Sequence, residues 1–234
     1  MGDPVVQMRI WHVTAPPAAV LRVAAARLAL RKQPGLRFVK VLGTGSGESF
    51  TVRDADWHRW ALLTVFDDRP SANAFADASF DRSWRRIATE TLRLDLRPLT
   101  STGRWARRTP FDPPHPPQRW RGTVAALTRA RIRPTQWKRF ARAVPPVAAD
   151  LAQRPGLILR LGIGEAPIGL LGTFSMWQSN AALNEFAQRG QAHRRVIEQT
   201  RRTGWYAEEL FARFAVLDAV GSFDGQPLAL CETP

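Results

Sequence analysis

Two landmarks in this chain recur at one spacing. Phe66 closes the apolar run Trp60-Ala-Leu-Leu-Thr-Val-Phe66, and Trp177 closes Leu171-Gly-Thr-Phe-Ser-Met-Trp177, 111 residues further on. Phe75, in Ala72-Asn-Ala-Phe75, stands the same 111 residues before Phe186 of Ala182-Leu-Asn-Glu-Phe186. An internal repeat restricts the fold more than composition does, because both copies must form the same unit. Other words recur with it. Pro34-Gly35-Leu36 and Pro155-Gly156-Leu157 each follow a helical stretch, and each precedes a glycine cluster, Gly43-Thr-Gly-Ser-Gly47 or Gly162-Ile-Gly-Glu165. Between the copies, Arg107–Arg121 holds Pro110, Pro113, Pro114, Pro116 and Pro117. Prolines at that density exclude helix and central strand, so the segment reads as a stiff, extended connector. The expected units are therefore residues 1–106, a linker at 107–121, and residues 122–234. Units of roughly 100 residues are large enough for cores of their own.

Periodicity gives each copy its elements. Val6, Met8 and Ile10 alternate along a first strand, and Val20–Leu30 has helical apolar spacing. Leu92, Leu94 and Leu96 alternate with Arg93, Asp95 and Arg97, the pattern of a half-buried last strand. In the second copy, 124–132, 157–163, 171–177 and 209–219 read as strands, and 134–152 and 180–202 as helices. The order β-α-β-β-α-β is the ferredoxin-like pattern. The expectation is an α+β fold of tandem ferredoxin-like (βαββαβ) repeats forming a dimeric-type α/β barrel within one chain. Neither glycine cluster opens a helix of a βαβ unit or continues into Lys-Ser/Thr, so both are expected to be hairpin turns rather than phosphate loops.

Composition removes several function classes. The net charge of +14 is nearly all arginine, with lysine only at Lys32, Lys40 and Lys138. The arginines are spread along the chain without a nucleic-acid motif, so no nucleic-acid partner is expected; an acidic protein or an anionic cofactor remains compatible with the charge. No apolar run approaches the ~20 residues of a membrane helix. Met1–Ile10 lacks a secretory layout, which gives a cytoplasmic expectation. A lone Cys231 excludes an internal disulfide and multi-cysteine metal sites.

Four stretches carry a family resemblance. Lys138-Arg-Phe-Ala-Arg-Ala-Val-Pro-Pro146, Gly162-Ile-Gly-Glu-Ala-Pro167, Gly172-Thr-Phe-Ser-Met-Trp177 and Trp205-Tyr-Ala-Glu-Glu-Leu-Phe-Ala-Arg-Phe214 closely resemble the spheroidene monooxygenase family of carotenoid biosynthesis. The match is dense from about Arg121 to Ala219; in the N-terminal copy it lies in layout more than in particular words. The resemblance implies a haem-dependent oxygenase that uses O2 and a ferredoxin-type reductant. Its implied reaction hydroxylates the end of an acyclic carotenoid, and a second hydroxylation gives a geminal diol that loses water to leave a ketone. Such an apolar substrate, or a similar isoprenoid, brings in peripheral membrane contact. Two other readings stay open: a cofactor-independent monooxygenase of the same barrel class, and a non-enzymatic carrier of haem or an apolar ligand.

A haem protein needs a proximal ligand, usually histidine or cysteine, less often tyrosine. Cys231 is near the end of the chain, Tyr206 is the lone tyrosine, His115 lies in the linker, and His58 follows a turn. His12 extends the Val6, Met8, Ile10 face. His193 shares a helical face with Phe186, Val196 and Ile197, and Gly190 leaves room for a flat macrocycle. The resembled family carries a histidine on the comparable helix. The position 111 residues earlier is Arg82, so one site per chain is expected. The expected haem site is His193 as iron ligand, with Arg194, Phe186, Gly190 and Ile197 around it. Arg194, Arg195 or Arg139 could meet haem propionates. Phe174, Trp177, Trp205 and Tyr206 are the candidate substrate wall, although strand alternation places Phe174 and Trp177 on opposite faces. Glu208 and Glu209 would support the site structurally. No catalytic side chain is assigned beyond the iron; without a cofactor, His12 or His193 would act as base.

Overall fold

The structure, a computed structural model, describes residues 4–48, 54–113, 119–165, 170–189 and 204–230. The expectations placed on His115, Gly190, His193, Arg194, Arg195, Ile197 and Cys231 lie outside the described residues.

In the first half, β1 (Val5–Val13), α1 (Pro16–Leu30), β2 (Leu36–Gly45), β3 (Ala55–Phe66), the short helices α2 (Arg69–Ala74) and α3 (Ser79–Arg85), and β4 (Ala88–Gly103) follow in order. In the second, β5 (Val124–Ile132), α4 (Trp137–Ala152), β6 (Leu157–Gly164), β7 (Leu170–Trp177), α5 (Asn180–Arg189) and β8 (Tyr206–Phe223) do the same, and a short β9 (Gln226–Pro227) ends the sheet. The strands lie β4-β1-β3-β2 in one half and β8-β5-β7-β6 in the other, all antiparallel. Both halves also carry a register shift at one place, between Leu36 and Phe38 and between Leu157 and Leu159. The fold is thus mixed α+β on an antiparallel sheet.

Two seams close that sheet into a barrel. The long one pairs β4 with β8 from Leu92↔Gly221 to Gly103↔Leu210. It explains why β8 extends beyond the expected 209–219, since its residues bond β5 on one side and β4 on the other. The short seam pairs Gly43, Thr44 and Gly45 of β2 with Gly164, Ile163 and Gly162 of β6. Gly43, Gly45, Gly162 and Gly164 are therefore strand residues, whereas Ser46 and Gly47 lead into the connection between antiparallel β2 and β3. A Cβ on Gly162 would come within 2.7 Å of Gly47 backbone atoms, and one on Gly45 within 2.3 Å of the Asp54 carbonyl oxygen. The backbones meet only because those side chains are missing.

Alternation sends Val6, Met8, Ile10, Leu94, Leu127, Phe174, Met176 and Phe214 into one buried apolar cluster inside the barrel, drawn from both halves. The connector contributes to it. Phe111 is buried and meets Phe214 edge to face, with ring centroids 4.9 Å apart. The expected extended linker thus reaches back into the core before its proline run.

The connector's start is also latched. Trp105 Nε1 donates to Glu165 Oε1 at 2.7 Å, and the backbone N–H groups of Ala106 and Arg107 donate to Glu208 at 3.0 and 2.7 Å. Buried Arg129 bridges both acids, 2.8 Å from Glu165 and in contact with Glu208, while Lys40 reaches Glu165 at 2.5 Å. Glu208 thus braces the connector rather than the cavity wall, and Glu209 is exposed. Among the described residues no helix is long and apolar enough to cross a membrane.

Candidate functional site

The outer face of the sheet, beneath the helices, differs sharply between the halves. In the first half it is filled. Gln7 and Arg9 of β1, Thr64 of β3 and Asp95 of β4 are buried there with Asp81 of α3. Gln7 Nε2 donates to Asp95 Oδ1 (2.8 Å), Arg9 Nη2 to Gln7 Oε1 (2.9 Å), and Arg9 Nη1 to Asp81 Oδ1 (3.1 Å). Arg85 and Arg69 close the network from its edge, on Asp81 and Asp95 respectively. Burial pushes the Asp81 carboxyl up despite Arg9 and Arg85, and pushes Arg9 down despite Asp81. Packing completes the filling: Arg9 lies 5.0 Å over the Phe75 ring, and Trp11 stacks on Trp84 at 4.7 Å.

In the second half the same places are small. Gln7 faces Thr64 and Asp95; its counterpart Ala126 faces Ser175 and Arg213. Arg9 faces Leu62, and its counterpart Thr128 faces Thr173. Ala126, Thr128 and Thr173 in place of Gln7, Arg9 and Leu62, with Ser175 in place of Thr64, leave a cavity of about 520 Å³. Its roof is Phe140 and Leu151 of α4 with Leu183, Phe186 and Ala187 of α5; Thr100, Thr102 and Phe211 wall one side, and Tyr206 also lines it. This volume is within the range of small-molecule and cofactor sites, roughly 300–1,000 Å³.

The one cation lining this cavity among the described residues is Arg213. Its Nη1 donates to Asn184 Oδ1 at 2.6 Å and Asn180 Oδ1 at 3.1 Å, both in the first turns of α5. Burial alone pushes its guanidinium below the ordinary arginine range. An apolar slot with one half-buried cation fits a flat, largely apolar ligand carrying an acid, and haem is such a ligand. No group of three or more His, Cys, Asp and Glu among the described residues is arranged to hold a bare metal ion.

The candidate residues separate clearly. Phe186 and Tyr206 line the cavity. Trp177 is on the cavity side of the sheet but behind Phe186, stacked on it at 5.4 Å. Trp205 is buried in the neighbouring cluster, 6.3 Å from the Phe140 ring. Phe174 faces the barrel interior, on the opposite side of the sheet from the cavity, because alternation assigns it there with Met176. Arg139 is exposed and held by Gln136, which takes it out of the set facing the cavity. His12 reaches the barrel end, where Nδ1 lies 3.1 Å from the exposed Thr89 hydroxyl and the ring stacks near His58. Sequence reasoning missed Arg213, Asn180 and Asn184. A signal was present: Phe211 and Arg213 share the face opposite Leu210, Ala212 and Phe214, an arginine on a side that helices cover.

Together these features define an α+β barrel protein with a largely apolar cavity between its sheet and its helices. Solved aldoxime dehydratases share the fold. One aligns with a TM-score of 0.60 at 11% identity over 94% of this chain and 86% of its own. A butyraldoxime complex gives 0.61 at 10% identity over 92% and 80%. The chain belongs to the spheroidene monooxygenase family. It is 36% identical to spheroidene monooxygenase of Rhodobacter capsulatus over 220 residues, 91% of this chain and 89% of that protein. The Rubrivivax gelatinosus protein is 37% identical over 83% and 74%, and that of Cereibacter sphaeroides 31% over 88% and 63%. These relatives support a monooxygenase. No protein-family profile matches the chain.

Proposed function

We propose that the chain is a haem-dependent monooxygenase that hydroxylates, and then ketonises, one end of an acyclic carotenoid or similar isoprenoid. The observation that carries this reading is the cavity beneath α4 and α5, open only where the second half has small residues at the register of Gln7 and Arg9. His193 is the proposed iron ligand. Leu183, Phe186 and Ala187 line the cavity at helical spacing, and His193 continues that spacing in sequence, seven residues after Phe186. Haem bound there would supply the activation of O2 by reduced iron.

The chain's own residues do the rest. Leu151, Leu171, Leu183 and Phe186 exclude water and offer a polyene no polar competitor. The Thr128 and Thr173 hydroxyls put hydrogen-bonding groups on the sheet wall, while the small size of these side chains keeps that wall clear. Electrons come in this reading from an acidic ferredoxin drawn to a chain of net charge +14. The exposed Val20, Leu21 and Leu28 of α1, with Arg27, Arg31 and Lys32 nearby, support a peripheral contact with the membrane that holds the substrate. The two halves, 1–106 and 122–234, are in this reading copies of one ferredoxin-like unit joined by 107–121, in a cytoplasmic protein.

The test is the visible spectrum of purified protein supplied with haem. A Soret band that His193→Ala abolishes, with far-ultraviolet circular dichroism unchanged, is the expected result. Turnover of substrate with O2 in protein that takes up no haem would replace this reading with the cofactor-independent one.

A further inference from the structure

We propose that Arg213 anchors a carboxylate of the ligand that fills this cavity, so that the site selects apolar molecules ending in an acid. The proposal deepens the haem reading but rests only on the cavity that reading uses.

A guanidinium carries five N–H donors in a planar fork and keeps its charge at neutral pH. Arg213 spends Nη1 on two amide oxygens, Asn180 and Asn184, which bring no charge. Its Nε and Nη2 have no hydrogen-bond partner, and the guanidinium forms no ion pair with a carboxylate, among the described residues. Arg9 and Arg129, both buried, each meet at least one acid. A half-buried guanidinium with donors to spare and no paired anion can accept a carboxylate from a bound ligand in charge-assisted hydrogen bonds. The two asparagines then have a clear role: they fix the fork against α5 where Arg213 lines the cavity. No other charged side chain among the described residues lines the cavity. Burial, which already pushes the arginine below its ordinary range, strengthens the attraction for an anion that displaces water there.

Two ligands share the required chemistry: haem, through a propionate, and a long-chain carboxylic acid. Full-length protein free of haem would be titrated with haem and haem dimethyl ester by Soret absorbance and tryptophan quenching. Palmitate and methyl palmitate would be compared by calorimetry. The wild-type chain should favour the acid over its ester by about 10- to 100-fold in at least one pair, the magnitude of a charge-assisted hydrogen bond. Arg213→Gln should erase that preference, and Arg213→Lys should restore part of it, with circular dichroism reporting the fold of each. A preference in the haem pair alone identifies a propionate; one in the palmitate pair alone keeps the anchor and assigns it to a fatty acid, while absence of any Soret change with haem or its ester sinks the haem reading separately. Equal binding of acid and ester by the wild type in both pairs, no binding of any of the four, or a full preference retained by Arg213→Gln would overturn the proposal. If Arg213→Gln does not fold, the wild-type acid-to-ester ratio decides.

Discussion

Asp95 of β4 and Arg213 of β8 hold corresponding places in the two halves of the sheet, and they carry opposite charge. Asp95 lies across from Gln7, Arg213 across from Ala126, and Gln7 and Ala126 themselves lie across from Thr64 and Ser175. Around Asp95 the neighbours are long and polar, so the place closes into a buried network. Around Arg213 they are small, so it opens into a cavity. One sheet geometry thus serves as a structural brace in one half and as the wall of a cavity in the other.

The brace should be sensitive to losing its central cation. Arg9→Ala leaves Asp81, 1% exposed, without its buried partner. Breaking one side of a buried pair costs about 3–5 kcal/mol. Urea unfolding should show that loss, and adding Asp81→Asn to Arg9→Ala should recover part of it. A variant within 1 kcal/mol of wild type would mean that water replaces the guanidinium.

Acid should loosen the barrel where the connector is latched. Burial raises the Glu165 carboxyl, but hydrogen bonds and charge from Lys40 and Arg129 outweigh it, and the net shift is downward from 4.5. Glu208 is lowered in the same way, its burial outweighed by the Arg107 and Ala106 N–H groups and Arg129. A depressed carboxylate contributes its stability in full above its unfolded value and loses it as pH falls through the folded one. Glu165→Gln should therefore cost about 2 kcal/mol at pH 7, as for a hydrogen bond to a charged group. The gap between variant and wild type should narrow as the pH drops below about 4.5. Thermal melts across pH 3–7 measure it; a gap constant with pH contradicts the account.

Filling the cavity should separate binding from folding. Thr128→Trp puts a large ring where the first half has Arg9, between the sheet and α5. Haem uptake should fall at least about tenfold while far-ultraviolet circular dichroism is retained, since one lost charge-independent contact set already exceeds the 1.4 kcal/mol of a decade. Uptake unchanged in a folded variant would place the ligand elsewhere.

The apolar face of α1 should matter only at a lipid surface. Leu21 and Leu28 are 70% and 78% exposed, so replacing both by glutamate removes no core contact. Stability should stay within about 0.5 kcal/mol. Sedimentation with vesicles containing anionic lipid should weaken severalfold, because apolar insertion and basic attraction are both reduced. Equal sedimentation would show that another surface makes the contact.

The sequence by itself determined the strands, their alternation and the spacing that sets Phe66 beside Trp177 in role. Val6, Met8 and Ile10 lie on one face because a strand has a period of two, whatever surrounds it. It also carried the family, through residues such as Gly172-Thr-Phe-Ser-Met-Trp177. Only the tertiary structure decided which face is which. In a barrel wrapped by helices both sides of a strand are apolar, so alternation separates Phe174 from Trp177 without saying which one meets the barrel interior. The closing seam, too, depends on Gly45 and Gly162 meeting across 117 residues of chain, which no local pattern encodes. The cavity exists because Ala126, Thr128, Thr173 and Ser175, each ordinary in its own strand, become neighbours across β5 and β7. Arg213 gains its meaning in the same way: a half-buried cation is defined by what surrounds it, and its surroundings are assembled from β4, β5, β8 and α5.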